Sequence, residues 1–211
     1  MESEVVKWLQ RDVNCLTDPQ RFVRKRSLEK LSRVEELRMK FGTEAMIGFF
    51  KSHLLKPLLL CISDPVEKCR ELSIQICKEY AKMNALCDGQ IEKDTLAVIN
   101  TRLGKTPLPE PAEEIRLLLL ELLLIILQKT SKECFSPVIG DVLNILAKAS
   151  TDPFPDAKKA CCDCIIQLTT LWKNEIKLHL FTIVKPMTMN LGHQHARVRL
   201  CTLQVRFRFD I

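Results

Sequence analysis

The sequence predicts an all-α chain built as a stack of two-helix hairpins. Three observations predict it. Glycine and aromatic residues are scarce, one seven-residue phrase returns five times, and the residues after each phrase are apolar at helical period. The 211 residues include 6 glycines and 6% aromatics, against 46% hydrophobic and 27% charged residues. Sheets draw more heavily on aromatic and β-branched side chains. The net charge of +6 is mild for this length and permits an acidic partner without demanding one.

The phrase reads Asp18-Pro19-Gln20-Arg21-Phe22-Val23-Arg24, then Asp64-Pro65-Val66-Glu67-Lys68-Cys69-Arg70. It returns as Glu110-Pro111-Ala112-Glu113-Glu114-Ile115-Arg116 and Asp152-Pro153-Phe154-Pro155-Asp156-Ala157-Lys158. A degraded copy is His193-Gln194-His195-Ala196-Arg197-Val198-Arg199. Starting positions 18, 64, 110, 152 and 193 give steps of 46, 46, 42 and 41 residues. HEAT and armadillo arrays step by roughly 40–47 residues. The sequence therefore predicts a HEAT/armadillo-like α-solenoid, a right-handed superhelix of about five hairpins.

Each phrase is expected to start the second helix of its hairpin. The leading residue, Asp18, Asp64, Glu110, Asp152 or His193, is expected at the N-cap, accepting from free backbone N–H groups. A following proline has no N–H to leave unpaired and a φ already helical. Glu67 and Glu113, three residues after the cap, would complete capping boxes. The seventh position is basic throughout: Arg24, Arg70, Arg116, Lys158 and Arg199. One turn into its helix, that residue is expected to reach the capping acid of the neighbouring hairpin, in pairs partly exposed and individually weak. A ladder of basic residues for binding is the alternative.

Buried faces follow the phrase. Five residues after its sixth position stand Leu28, Ile74, Leu120, Cys162 and Leu203. Eight after stand Leu31, Cys77, Leu123, Ile165 and Arg206, and eleven after stand Val34, Tyr80, Ile126, Leu168 and Phe209. First helices are expected near Val5–Leu16, Met46–Ile62, Ile91–Leu103, Pro137–Ala149 and Ile176–Leu191, with Pro57 and Pro186 kinking or splitting two of them. Gly104 to Pro109 reads as a hairpin loop. Stacked neighbours would bury what one hairpin cannot. The chain thus reads as one array over 1–211, with hairpins at about 1–41, 44–85, 88–130, 135–173 and 175–211. The last is incomplete: Arg206 fills an otherwise apolar slot and the tail from Val205 stops short, as in a fragment or truncated variant.

The chemistry this pattern leaves is small. Ten cysteines without a secretory signal at Met1–Gln10 read as reduced, buried thiols. Cys161 and Cys164 have C-x-x-C spacing but lie two turns into a helix, in slots that hold Leu119 and Leu122 elsewhere; core packing outweighs redox chemistry. His179, His193 and His195 lack partners at zinc spacing, and His193 replaces the acid of the phrase. Arg21, Arg24, Lys25, Arg26 and Lys30 form the densest basic cluster, read as a solvated face. No aromatic interleaving supports nucleic acid binding. The longest apolar run, Leu117–Leu127, is interrupted by Glu121 and too short for a membrane span. No phosphate-binding loop, metalloprotease motif or nucleophile elbow is present. No catalytic residue, cofactor or metal is expected.

The Asp152–Lys158 phrase with Cys162 and Cys164, the His193–Arg199 phrase, and Cys61-Ile62-Ser63-Asp64-Pro65 with Cys69-Arg70 resemble the HEAT-repeat dynein axonemal assembly factors, over most of 50–204 and in the N-terminal part of a longer protein. The resemblance implies a cytoplasmic protein of ciliated cells, a scaffold or co-chaperone that helps preassemble dynein arms for cilia and flagella. Its implied partners are axonemal dynein chains, chaperones and other assembly factors, held by a long concave surface. It implies no catalytic residues and no cofactor. A TOG-like tubulin-binding array is the alternative, with Arg21, Arg197 and Arg199 in its loops but Glu67, Glu113 and Asp156 interrupting the basic stripe. A thiol redox protein using Cys161 and Cys164 is a third class.

Overall fold

Each phrase turns the chain into a new helix, and no strand occurs among the described residues. The structure, a computed structural model, describes residues 2–86, 89–131, 133, 136–172, 176 and 180–209. Internal contacts divide the chain into two compact units, Met1–Ile91 and Glu92–Ile211.

In the first unit, α1 (Glu2–Asn14) ends in a tight turn, Cys15–Thr17, and α2 (Arg21–Leu31) follows the first phrase. Val5, Leu9, Val13 and Leu16 recur every three to four residues and are all buried, so α1 is held by one apolar stripe. α3 (Val34–Phe41) is a separate helix that the apolar period does not predict. The chain breaks at Ser32–Arg33, so Val34 is buried on α3 rather than on a continued α2. Gly42, at φ +84°, ends α3 in a conformation that side chains disfavour and lets α4 (Thr43–Phe49) begin at once.

α4 runs through a wider π-turn, Phe50–Leu54, into α5 (Leu55–Cys61). Pro57 is the physical reason. It offers no N–H to the carbonyl four residues earlier, and the ladder loosens there rather than stopping. α6 (Glu67–Lys82) then buries Cys69, Ile74, Cys77 and Tyr80, with the Tyr80 ring stacked on Phe50 at 4.1 Å.

The second unit has two layers. α8 (Glu113–Lys129), α10 (Pro155–Leu171) and α12 (Ala196–Phe209) form one row in which α10 packs against both neighbours. α9 (Ile139–Ala149) packs against α11 (Leu180–Thr188) in the other. α7 (Gly89–Leu103) joins α9 through Asn100, whose amide donates to Asp141 at 3.0 Å. Asn144 donates to Asn100 and to the Gly104 carbonyl, which pins the start of the hairpin loop. α11 carries Pro186 and tightens into a 3₁₀ turn over Met189–Gly192, so the helix expected as far as Leu191 ends sooner; 177–179, with His179, lie outside the described residues.

The apolar slots of the first four phrases are buried throughout. The fifth departs from the expectation. Leu203 is 38% exposed, Arg206 is exposed, and the Phe209 side chain lies outside the described residues. Val198, Cys201 and Val205 form the buried face of α12 instead.

Candidate functional site

The phrases build one local device several times over. Its first part is a turn. The helices start at Arg21, Glu67, Glu113 and Pro155, and their N-cap residues are Gln20, Val66, Ala112 and Phe154. Asp18, Asp64, Glu110, Asp152 and His193 are therefore not N-caps; they stand two residues earlier or more. The residue before a proline is pushed into extended backbone, so the helix cannot begin there.

Each leading side chain instead closes a short turn onto the backbone two residues on. The N–H groups of Gln20, Val66 and Phe154 donate to Asp18, Asp64 and Asp152 at 2.8 Å, and that of Ala112 donates to Glu110 at 3.1 Å. His195 N–H donates to His193 Nδ1 at 3.1 Å, so an unprotonated imidazole nitrogen does the same task in the fifth copy. Glu67 and Glu113 become the first helical residues and form no capping box. Their charge still faces the positive end of the helix dipole. Only Pro155, not the proline next to the acid, occupies a first-turn position.

The second part is an arginine clamp. Arg24 Nη1 donates to the carbonyls of Asp18 and Pro19 in its own turn, at 2.8 and 3.1 Å. Its Nε and Nη2 grip both carboxylate oxygens of Asp64, forty residues on, at 2.6 and 3.0 Å. Arg116 repeats this: Nη1 holds the Glu110 and Pro111 carbonyls, while Nε and Nη2 hold Asp152 at 2.6 and 2.9 Å. Arg70 Nη1 donates to Asp64 O and Pro65 O. Arg199 Nη1 donates to His193 O and Gln194 O at 2.7 and 3.0 Å. Lys158 has one nitrogen and no fork. It reaches Asn190 Oδ1 at 2.8 Å, and Asn190 in turn donates to the Ser150 carbonyl.

A bidentate guanidinium–carboxylate pair that is also buried is rigid and costly to break. Asp152 is 1% exposed. These pairs are therefore not the exposed, weak ones expected from sequence. Burial opposes the charge on Asp64, but Arg24 and the Val66 N–H outweigh it and hold the carboxyl below its ordinary 3.8. The hydrogen bond to Asp64 raises Arg24 in turn.

The remaining candidates fall to structure. Lys25 faces Glu29 at 3.6 Å and Lys30 meets Asp12 at 2.5 Å, so the basic cluster is partly neutralised within its own unit. Cys161 and Cys164 are fully buried, and their thiols donate to the Leu146 and Leu120 carbonyls. Burial pushes both thiols up, away from the thiolate that redox chemistry needs. Cys61 is pushed up to about 12, first by burial and then by Asp64. Among the described residues no three His, Cys, Asp or Glu side chains converge as a metal site. No described helix is long and apolar enough to cross a membrane.

Two features had no sequence signal. Glu92, fully buried on α7, accepts from the Thr130 hydroxyl; burial raises its carboxyl above the usual range despite that bond. Lys40 lies 3.4 Å over the Trp8 ring, beside a groove of about 810 Å³ lined also by Phe22, Arg26 and Arg33. Trp8 and Lys40 are far apart in the chain, and only the placement of α3 joins them.

Comparison with known proteins adds the family. A family model described as dynein axonemal assembly factor 5-like, TPR repeats, matches residues 15–206. Dynein axonemal assembly factor 5 of Xenopus laevis is 34% identical over 202 residues, covering 96% of this chain and 24% of the relative. The Mus musculus protein of the same name is 27% identical over 208 residues, covering 96% and 24%. The chain thus spans about a quarter of the length of these curated relatives. A designed armadillo repeat protein in complex with a (KR)4 peptide matches 95% of the chain and 99% of its own length, with TM-score 0.64 and 17% identity. Computationally designed armadillo repeat proteins for modular peptide recognition match with TM-score 0.68 at 17% identity, over 95% of this chain and 81% of theirs. These likenesses show the fold, an all-α, HEAT/armadillo-like α-solenoid. The phrase spacing of 41 to 46 residues fits that class better than the 34-residue TPR step.

Proposed function

Because the chain belongs to the dynein axonemal assembly factor 5-like family, we propose that it is a non-catalytic, protein-binding scaffold for the preassembly of axonemal dynein arms in the cytoplasm of ciliated cells. The observation that carries this reading is the family match across residues 15–206. The geometry supports a scaffold. The polar side chains that recur from phrase to phrase are spent on holding turns and neighbouring hairpins, and the C-x-x-C thiols are buried. Binding then falls to the exposed side chains, among them Trp8, Phe22 and Phe181. The mechanism is capture of a dynein chain or a chaperone without turnover, as a co-chaperone acts. Neutralisation of Arg24, Lys25 and Lys30 by acids in their own unit weighs against a tubulin-binding reading.

Affinity purification from ciliating cells, with this chain as bait, tests the proposal. Axonemal dynein subunits with chaperones are the expected catch. Their absence, together with salt-sensitive pelleting on tubulin, would replace this reading with the tubulin one.

A further inference from the structure

Cys161 and Cys164 have the C-x-x-C spacing, but they lie one turn apart on one helix, and each thiol is committed to a backbone carbonyl. A bond between them would join α10 to nothing. Cys162, between them, is placed differently. It faces α12, which packs directly against α10, and its thiol meets the thiol of Cys201. Cys162 is 1% and Cys201 4% exposed.

The two sulfurs are hydrogen-bonded across the joint. Cys162 donates to Cys201, and Cys201 donates onward to the Val198 carbonyl at 3.2 Å. The Thr202 hydroxyl, also on α12, bonds Cys162. The bond from Cys162 holds the Cys201 thiol below its ordinary value although burial pulls the other way, while that bond and then burial push Cys162 up. Core packing does not ask for this pair. The slot five residues after the sixth position of one phrase, and the slot three residues after that of the next, hold Leu28 with Leu72, Ile74 with Leu118, and Leu120 with Ala160. At the joint of α10 with α12 both are cysteine.

We propose that Cys162 and Cys201 form an oxidation-driven latch, in which hydrogen peroxide converts the paired thiols into a disulfide that locks α10 to α12. The Cys201 sulfur, as thiolate, attacks one oxygen of peroxide. The O–O bond breaks, Cys201 becomes a sulfenic acid, and the departing hydroxide takes up the thiol proton as water. The Cys162 sulfur then attacks the sulfenic sulfur and forms the S–S bond, and the expelled hydroxide takes the Cys162 proton. Two thiols and one peroxide thus give one disulfide and two waters; the sulfurs are oxidised and the peroxide oxygens reduced. Cys201 is the nucleophile because its thiolate has a donor, and Cys162 resolves the sulfenic acid because it already touches that sulfur. Burial makes the first step wait on local opening of the joint. Small thiols reverse the bond by exchange. The two cysteines stand 39 positions apart on successive hairpins, so the latch ties one hairpin to the next and closes the chain between them into a loop. It acts whichever protein the scaffold binds.

The full chain, its fold followed by circular dichroism, is treated with hydrogen peroxide, blocked with an alkylating reagent and mapped by mass spectrometry without reduction. A peptide joining Cys162 to Cys201 should form, and dithiothreitol should remove it. Hydrogen exchange across α12 should slow about tenfold in the oxidised chain and recover on reduction. In C162A, Cys201 should stop at the sulfenic acid and be captured by dimedone, which should find little of it in the unsubstituted chain. A folded chain whose half-exposed Cys15 is oxidised but which yields no link between Cys162 and Cys201 overturns the proposal. So does a disulfide between Cys161 and Cys164 in its place, or a link that leaves exchange across α12 unchanged.

Discussion

Arg116 and Arg199 occupy the same position of the same phrase, and each ties down the carbonyls of its own turn. They differ in what the rest of the guanidinium meets. Arg116 holds both oxygens of Asp152 in a site closed to water. Arg199 is exposed, and its remaining nitrogens have no acceptor among the described residues. The difference teaches that the phrase encodes only half of the joint. The turn and the first grip are local, but the second grip needs a neighbour thirty-six to forty residues on.

That comparison can be broken by substitution. R116A leaves Asp152 buried without its partner and should cost about 3 kcal/mol, the usual penalty for an orphaned buried charge. R199A should cost less than about 0.5 kcal/mol, as a surface change does. Urea unfolding of the second unit, which holds both residues, checks both, and equal losses would remove the distinction between a filled and an open clamp.

R24A should fall between them, at roughly 2 kcal/mol for charge-assisted hydrogen bonds at a part-buried site. It also has a pH signature. Asp64 is held below its unfolded value, so its contribution is complete above about pH 4 and is lost as pH falls through the lower folded value. In R24A the acid unfolding of the first unit should lose that component.

Glu92 has the opposite sign. Its folded carboxyl is raised, so the ionised form opposes folding above the folded value and the penalty is relieved as pH falls. E92Q should therefore raise the melting temperature at pH 7 by less than R24A lowers it, with the gain shrinking toward pH 4. A gain independent of pH would mean that the carboxylate is not the cause.

The smallest effect concerns thiols. Brief alkylation of the native protein, followed by peptide mass mapping, should label the half-exposed Cys15 before Cys161, Cys162 and Cys164. Early labelling of Cys161 would revive the redox reading.

The phrases made much of this legible. Their spacing announced the helical hairpins, their apolar slots the buried faces of four copies, and the basic seventh position a joint between neighbours. The expected N-caps are displaced by two residues because the following proline holds the acid in extended backbone. The joint is stronger than the phrase implies because exposure is not written in a phrase. Asp152 looks like a surface acid until α8 and α10 close around it.

What the sequence determined by itself was periodic and local: helix period, turn chemistry, and the residue types that repeat. Tertiary structure alone decided what depends on distant segments meeting. It set which clamps are filled, that Val34 belongs to a separate helix, that Lys40 caps Trp8, and that Glu92 is buried. The physical reason is range. A turn is fixed by bonds between residues two to six apart, while desolvation and the second grip of an arginine come from chains forty residues away.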